Sequence, residues 1–241
     1  MKAVLLVLFI LFASSYTTLG SYKTYNAYDV CTSSGATAGY QLGSYGDNTA
    51  VTLEAGKSSK KKELYSCNMT LNASIPQQKL LVAIRKVNFP GSCDKYFVIV
   101  YEGGKQFVQK LCNSVNDNDE RQSIITKSSS IRFEFTMLKP SSDVKLELII
   151  TSYSDTYTSN FNFKCDNGNY ISHSLTCDGH NNCGDRSDES SKGSSKCVLT
   201  PGVISGIVIG CLLLIALISG IIWCCSRKTV VRTYVSRGYN Y

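Results

Sequence analysis

Residues 93–103, CDKYFVIVYEG, give the clearest strand pattern in the largest part of the chain. Aromatic and β-branched side chains fill this stretch, and glycines follow it, which is typical of a β-strand that ends in a turn. Similar runs occur at 79–89, 131–137 and 145–151. No window shows an apolar period of about 3.6 residues, the pattern of a helix. The short strands therefore predict a mainly β fold, an antiparallel β-sandwich.

The cysteines divide the chain into domains. Three of the 11 cysteines lie in or just after an apolar run near the carboxyl end. The other eight are even in number, as expected for disulfides formed in an oxidising compartment. The longest gap among them, 53 positions from Cys112 to Cys165, separates two groups of four. We therefore expect two disulfide-bonded domains, at about 21–156 and 158–197. The eight cysteines are Cys31, Cys67, Cys93, Cys112, Cys165, Cys177, Cys183 and Cys197.

The run at 93–103 resembles the central signature of CUB domains, in which a cysteine precedes an aromatic strand ending in Tyr-Asp-Gly or a similar triplet. The resemblance covers most of 31–153 and implies a β-sandwich. It also implies two disulfides, Cys31–Cys67 and Cys93–Cys112. The first pair is 36 positions apart, which implies an insertion around 42–62.

Calcium-binding CUB domains carry two aspartates that this chain lacks. Tyr96 stands at the first of these positions and Met137-Leu138 near the second. Because Ca²⁺ needs several oxygen ligands, we expect the sandwich to lack that calcium site.

Surface features of the first domain suggest two further interpretations. The insertion carries four lysines, for which a solvated loop is favoured over a contact with an acidic ligand. They are Lys57, Lys60, Lys61 and Lys62. Asn68-Met-Thr70 and Asn72-Ala-Ser74 are N-glycosylation sequons, and we expect at least one of them to carry sugar.

Residues 177–189, CDGHNNCGDRSDE, resemble the class A module of the LDL receptor. A module of about 40 residues cannot build a large core, so disulfides and a metal ion stabilise it. The resemblance implies one Ca²⁺ held by six oxygen groups. Four are the side chains of Asp178, Asn182, Asp188 and Glu189, and two are the backbone carbonyls of Leu175 and His180. Asn182 stands where the family usually has Asp, which removes one negative charge.

The module also lacks one of the family's three disulfides. The two missing cysteines align near Thr158 and at Tyr170. The pairs that the resemblance leaves are Cys165–Cys183 and Cys177–Cys197. Since a lost bridge costs roughly 2–4 kcal/mol, we expect the module to depend more on calcium and to unfold when the ion is removed.

Both ends of the chain carry apolar segments. Residues 1–20 combine Lys2, an apolar stretch and small residues, the pattern of a signal peptide. Residues 203–223 contain no charge and are long enough to cross a hydrocarbon layer of about 30 Å as a helix. Arg227-Lys228 follow this segment. The positive-inside bias therefore predicts a single-pass type I protein of the plasma membrane, with residues 224–241 in the cytosol.

The membrane segment carries two more predictions. Cys224 and Cys225, beside basic residues, are expected palmitoylation sites. Gly206 and Gly210 form a small-xxx-small motif through which two copies of the helix can dimerise.

Charge and motifs limit the function classes. The formal charge is +7, and setting aside Lys2 and four basic tail residues leaves about +2, which argues against nucleic-acid binding. Both histidines, His173 and His180, lie in the small module, and no catalytic motif is recognised, so we expect no enzyme. The module order favours a cell-surface binding protein or co-receptor for an extracellular protein ligand, basic in character, or for a neighbouring receptor. An endocytic or lipoprotein receptor and a structural adhesion or surface-coat protein remain alternatives.

Overall fold

A computed structural model describes most of the chain between residues 22 and 223. The described ranges are 22–30, 35–55, 66–89, 93–112, 115–116, 123–137, 144–197 and 206–223. The predictions made for the signal peptide, Cys31, the four lysines of the insertion, Cys224, Cys225 and the tail fall outside them. The chain forms two compact units that divide after Cys197.

The first unit is built from short strands. Within the described ranges they are β1 (Lys23–Asn26), β2 (Ala36–Gln41), β3 (Ala50–Ala55), β4 (Cys67–Asn72), β5 (Lys79–Asn88), β6 (Tyr96–Glu102), β7 (Lys105–Leu111), β8 (Val115–Asn116), β9 (Ser123–Ile125), β10 (Ser130–Met137), β11 (Lys145–Tyr153), β12 (Phe163–Lys164) and β13 (Tyr170–Ile171). Helix α1 (Ala27–Val30) follows β1, and single 3₁₀ turns lie at Gly46–Thr49, His173–Leu175 and Ser187–Glu189.

Two sheets form the sandwich. Sheet I has the order β1-β3-β11-β5-β8, with β9 also paired to β5, and sheet II has the order β2-β4-β10-β6-β7. The mainly β fold predicted from the sequence is confirmed. Strand pairing is antiparallel except at one edge of each sheet, where β1 pairs with β3 and β2 with β4 in parallel. From β1 to β4, successive strands alternate between the two sheets. As a result, β1 and β3 are neighbours in sheet I, and β2 and β4 are neighbours in sheet II.

The main core lies between the two sheets. Alternate side chains of β4 point inward, as the two-residue period of a strand requires. Met69 of β4 and Phe133 of β10 face Leu53 of β3 and Leu148 of β11, and none of these four exposes any surface. Burying an aliphatic or aromatic side chain of this size contributes about 1.5–3 kcal/mol, so this layer stabilises the contact between the two sheets.

Strands β5 and β11 are buried on both faces. In β5, Leu80 and Val82 face the main core, whereas Leu81 faces a second apolar cluster on the outer side of sheet I. In β11, Ile150 faces the main core and Ile149 faces the second cluster. The second cluster also contains module side chains: Phe163, Cys165, Ile171, Leu175 and Cys183. The class A-like segment therefore packs on the outer face of sheet I.

The insertion predicted around 42–62 is wrong for its described middle part. Residues 50–55 form β3, which lies between β1 and β11 in sheet I. Val51, Leu53 and Ala55 are buried in the main core. The alternation of these apolar residues indicates a strand. The wide spacing of Cys31 and Cys67 had instead suggested an insertion here.

The second unit contains helix α2 (Gly206–Trp223). It is the one helix of the described ranges that is long and apolar enough to cross a membrane. A Cβ atom added at Gly206 or Gly210 would meet nothing within 4 Å, so both positions are open for a helix contact.

Candidate metal centre

The loop from Cys177 to Glu189 folds back on itself through residues with left-handed backbone conformation. Cys177, Gly179, Gly184 and Arg186 have φ values of 60°, 84°, 83° and 61°. The glycines adopt this conformation at no steric cost, whereas the other two pay for it and are held by the surrounding bonds. The loop is closed by disulfides Cys165–Cys183 and Cys177–Cys197, the two pairs that the class A resemblance implies.

The folded loop brings three carboxylates together. The Glu189 carboxylate accepts the backbone N–H groups of Asp178 at 2.8 Å and Gly179 at 3.0 Å. The Asp188 carboxylate accepts the backbone N–H of Asn182 at 2.6 Å. Asp178 is 8% exposed and Asp188 is fully buried. The carboxylates of Asp188 and Glu189 therefore hold the backbone of residues 178–182 in place through hydrogen bonds.

One carboxylate oxygen of this cluster is left over. Oδ1 of Asp188 is buried and has no hydrogen-bond partner among the described residues. A buried unpaired carboxylate oxygen is costly, and such an atom in a folded protein points to a ligand or an ion.

Burial raises the pKa of each carboxyl group in the cluster. The pKa of Asp188 rises to about 7 and that of Glu189 to about 8, mainly because burial disfavours the charged form. The pKa of Asp178 is raised for the same reason, although the Tyr22 hydroxyl offsets part of the effect. A cation bound among the three groups would reverse these shifts because it favours the ionised form.

Asn182 lies at the centre of the cluster and is fully buried. Its Nδ2 lies 3.1 Å from the Leu175 carbonyl and 3.4 Å from the His180 carbonyl. The two carboxylate oxygens of Asp178 are 3.3 Å and 3.2 Å from the same nitrogen. Three of the five other groups expected to ligate calcium thus converge on one amide group.

The sandwich contributes two side chains to this cluster. The Tyr22 hydroxyl donates to Oδ2 of Asp178 and accepts from Nδ2 of Asn182 at 2.8 Å. The Thr151 hydroxyl, on β11, donates to Oδ1 of Asn182 at 2.8 Å. Both residues are buried, and the Tyr22 ring lies 4.9 Å from the His180 ring, centroid to centroid. Sequence reasoning missed both residues, because neither belongs to the module.

The donor set fits calcium at five of its six expected members. Ca²⁺ takes six to eight oxygen ligands, and the carboxylates of Asp178, Asp188 and Glu189 and the carbonyls of Leu175 and His180 supply this chemistry. Asn182 is the exception, since its nitrogen faces the other ligand groups and its oxygen faces Thr151. Cys183, Asp185 and Asp188 also lie close together, but the Cys183 sulfur is bonded to Cys165 and is not a metal ligand.

Other predicted site residues are distributed over the sandwich. Cys93 is joined to Cys112, and Cys67 is disulfide-bonded, with its expected partner Cys31 outside the described ranges. Asn68 and Asn72 are half-buried, on the outward-facing positions of β4 in sheet II. These two sequons therefore lie on the sandwich face opposite the one that the module covers.

Tyr96 stands at the first of the two aspartate positions of calcium-binding CUB domains. Its half-buried ring packs against the main core, so this position offers an apolar surface in place of a carboxylate. The carboxylate cluster of the module is therefore the candidate metal centre of the described chain.

Comparison with known proteins identifies the module. Residues 159–197 match the family model of the low-density lipoprotein receptor domain class A. A search of curated protein sequences found no match. The chain thus contains a class A module, packed on a β-sandwich that has CUB domains among its structural neighbours.

Two of these neighbours are CUB structures. The CUB1-EGF-CUB2 domains of rat MASP-1 are 9% identical with a TM-score of 0.36, covering 54% of this chain and 48% of that one. The MASP-1 CUB2 domain bound to Ca²⁺ is 15% identical with a TM-score of 0.34, covering 49% and 99%. A periplasmic lysozyme inhibitor, PliG of Aeromonas hydrophila, gives 16% and a TM-score of 0.26, covering 50% and 99%. This chain therefore spans about half of the first structure, and the three likenesses carry no argument about function.

Proposed function

We propose that the chain is a cell-surface binding protein or co-receptor of single-pass type I topology. The sandwich and the class A module would together hold an extracellular protein ligand or a neighbouring receptor, and helix α2 would tether them to the membrane. The module would hold one Ca²⁺ through Asp178, Asp188 and Glu189 with the carbonyls of Leu175 and His180. The ion would supply the positive charge that this acidic cluster lacks.

One observation carries the proposal. A class A module, a type of extracellular binding unit, shares an apolar cluster with sheet I and exchanges hydrogen bonds with Tyr22 and Thr151. Its orientation on the sandwich is therefore fixed. A fixed pair of modules presents one preformed surface, which lowers the entropy cost of binding a partner.

The docked arrangement limits where a basic ligand could contact the module. Asp178 is nearly covered, because Tyr22 and Asn182 lie against its carboxylate. Asp166 and Asp185 are exposed on the same module. A basic partner would therefore meet these two side chains rather than the buried cluster.

Co-purification tests the proposal. The full chain, expressed with a carboxyl-terminal tag, is captured from detergent-solubilised membranes in about 2 mM calcium and, separately, in excess chelator. About 2 mM calcium exceeds the dissociation constants typical of extracellular calcium modules. A partner captured with the chain in calcium is expected, and the chelator arm measures how far its capture depends on the ion. Uptake of a labelled ligand into cells would instead favour the endocytic alternative, and a chain with neither property would favour a structural role.

A further inference from the structure

Asn182 differs from an ordinary calcium ligand in what it presents to the cluster. A ligand must offer an oxygen lone pair to the ion, whereas this side chain turns its NH₂ group, with two hydrogens to share, toward oxygens of Leu175, Asp178 and His180. Its own oxygen is engaged by the Thr151 hydroxyl, which fixes the orientation of the amide. An Asp at this position could not donate any of these bonds.

Tyr22 adds a second donor to the same group of oxygens. Its hydroxyl donates to Asp178 while it accepts from Asn182, so the two side chains form a chain of hydrogen bonds that ends on a carboxylate. The Tyr22 ring is 6% exposed and belongs to the apolar cluster under the module. The hydroxyl is therefore held in place by packing as well as by its two bonds.

The two donors and a calcium ion require the same oxygen atoms. Asp178 and the Leu175 and His180 carbonyls, which lie against the Asn182 amide, are three of the groups that would hold an ion. A hydrogen bond to a carboxylate such as that of Asp178 is stronger than one between neutral groups. The donors therefore offset part of the cost of leaving these oxygens without a cation.

We propose that Asn182 and Tyr22 form a built-in donor pair that replaces calcium, so that the class A module stays folded on the sandwich when the ion is withdrawn. This inference deepens the proposed function and rests on its assignment of calcium to the module. It explains the Asn at position 182. Compared with the Asp that is usual in the family, Asn removes one negative charge and adds N–H donors. It also reverses the expectation from the missing disulfide that calcium removal unfolds the module.

The variant Asn182→Asp separates the donor role from the ligand role. It removes the Nδ2 donor and adds a fourth carboxylate. In chelator, the midpoint of thermal unfolding of the full chain in detergent should fall by about 5 °C or more. In calorimetric titration with CaCl₂, its affinity should rise about tenfold, since added ligand charge tightens calcium sites.

Asn181→Asp is the matched control, with the same charge change one residue away. The Asn181 Oδ1 accepts the N–H groups of Gly184 and Arg186 at 2.7 Å and 3.0 Å, and an aspartate keeps both bonds. This variant should change neither the melting in chelator nor the calcium affinity by a comparable amount. Equal melting of the two variants in chelator would overturn the proposal.

Tyr22→Phe tests the second donor. It should lower the melting temperature in chelator and increase cleavage of the module by a protease there, with a much smaller effect in calcium. Tyr153→Phe removes a buried hydroxyl bonded at 2.5 Å to the Thr126 carbonyl within the sandwich, so it should act equally in both conditions. A Tyr22→Phe effect that is the same with and without calcium would contradict the donor pair.

Failure of the proposed function gives a different result. If the wild-type chain binds no CaCl₂, the calcium assignment is wrong, yet the chelator melts of Asn182→Asp and Asn181→Asp still decide whether the donor pair stabilises the module.

Discussion

Asp188 is the residue on which the electrostatics of the module depends most. It is fully buried, one of its oxygens lacks a partner among the described residues, and its backbone carbonyl accepts the N–H of Cys177 at 3.1 Å. Any change in its charge is therefore transmitted to the disulfide-bonded loop and to the neighbouring carboxylates. Calcium binding and protonation are two ways of neutralising the same group.

The raised pKa values give a pH dependence with a definite sign. In chelator, the folded chain holds protons on Asp188 and Glu189 at pH values where the unfolded chain releases them, because their pKa values are about 7 and about 8 when folded. Stability then falls as pH rises from about 5 to about 8. Thermal melts in chelator across this range should show a decreasing midpoint.

Asp188→Asn removes one of the titrating groups, so the slope of the melting midpoint against pH should become smaller. Asp166→Asn, which removes an exposed carboxyl of the same module, is the control for the change of side chain. A midpoint that rises with pH in chelator would mean that these carboxyls are not buried together.

At this scale the sequence predicted the module's own groups and missed those of the sandwich. The spacing of Cys177, Asp178, Asp188 and Glu189 is a local signal that survives without knowledge of the fold. Tyr22 lies 156 positions from Asp178, and no local pattern joins them. The orientation of the Asn182 amide depends on Thr151, so it could not be read from the module alone.

At the scale of elements, the contact between module and sheet I is tight at one glycine. The backbone of Gly184 has φ +83°, and a Cβ there would lie 2.6 Å from a methyl group of Leu81 on β5 and 3.1 Å from the Ser123 hydroxyl on β9. The same hydroxyl donates to the Gly184 carbonyl at 2.7 Å. The Gly184 backbone therefore lies directly against the Leu81 and Ser123 side chains, and both this contact and its left-handed conformation favour glycine.

Gly184→Ala should destabilise the chain beyond the cost of its backbone conformation. Left-handed backbone costs an alanine roughly 1–2 kcal/mol, and overpacking adds typically 1–3 kcal/mol. Chemical denaturation of the full chain and limited proteolysis of the module measure the two effects.

Gly168→Ala provides the control for backbone strain. Its φ is +90°, but a Cβ there meets nothing within 4 Å. This variant should show the strain cost alone, with no increase in proteolysis of the module. Equal destabilisation by both substitutions would indicate that the module does not pack on β5 in solution.

The sequence predicted β5, β6, β10 and β11 because their apolar runs are long. It also contained a pattern that indicates the outer face of sheet I, on which the module packs. Strands buried on both faces have nearly continuous apolar sequences, and 80–84 (LLVAI) and the shorter 148–150 (LII) have this character. The short or polar strands β1, β2 and β9 gave no such signal, since pairing rather than composition determines them.

At the scale of the whole molecule, the two faces of the sandwich differ. The module covers sheet I, whereas Asn68 and Asn72 lie on outward positions of sheet II. Sugar on either residue would leave the docked module free. A partner would then approach the module or the ends of the sandwich.

Expression in a eukaryotic secretory pathway tests this arrangement together with the topology. The full chain should lose mass on treatment with an N-glycosidase, and the double variant Asn68→Gln, Asn72→Gln should not. A carboxyl-terminal tag should be detected only after the cells are permeabilised. A tag accessible on intact cells, or an unglycosylated wild-type chain, would contradict the type I assignment.

Calcium titration of the full chain in detergent tests the central claim, that the docked class A module is a calcium centre built on Asp188 and its neighbours. The wild type and Asp166→Asn should bind one ion with the same affinity, and Asp188→Asn should bind at least about 100-fold more weakly. The absence of binding by the wild type at millimolar calcium, or wild-type affinity in Asp188→Asn, would contradict the account.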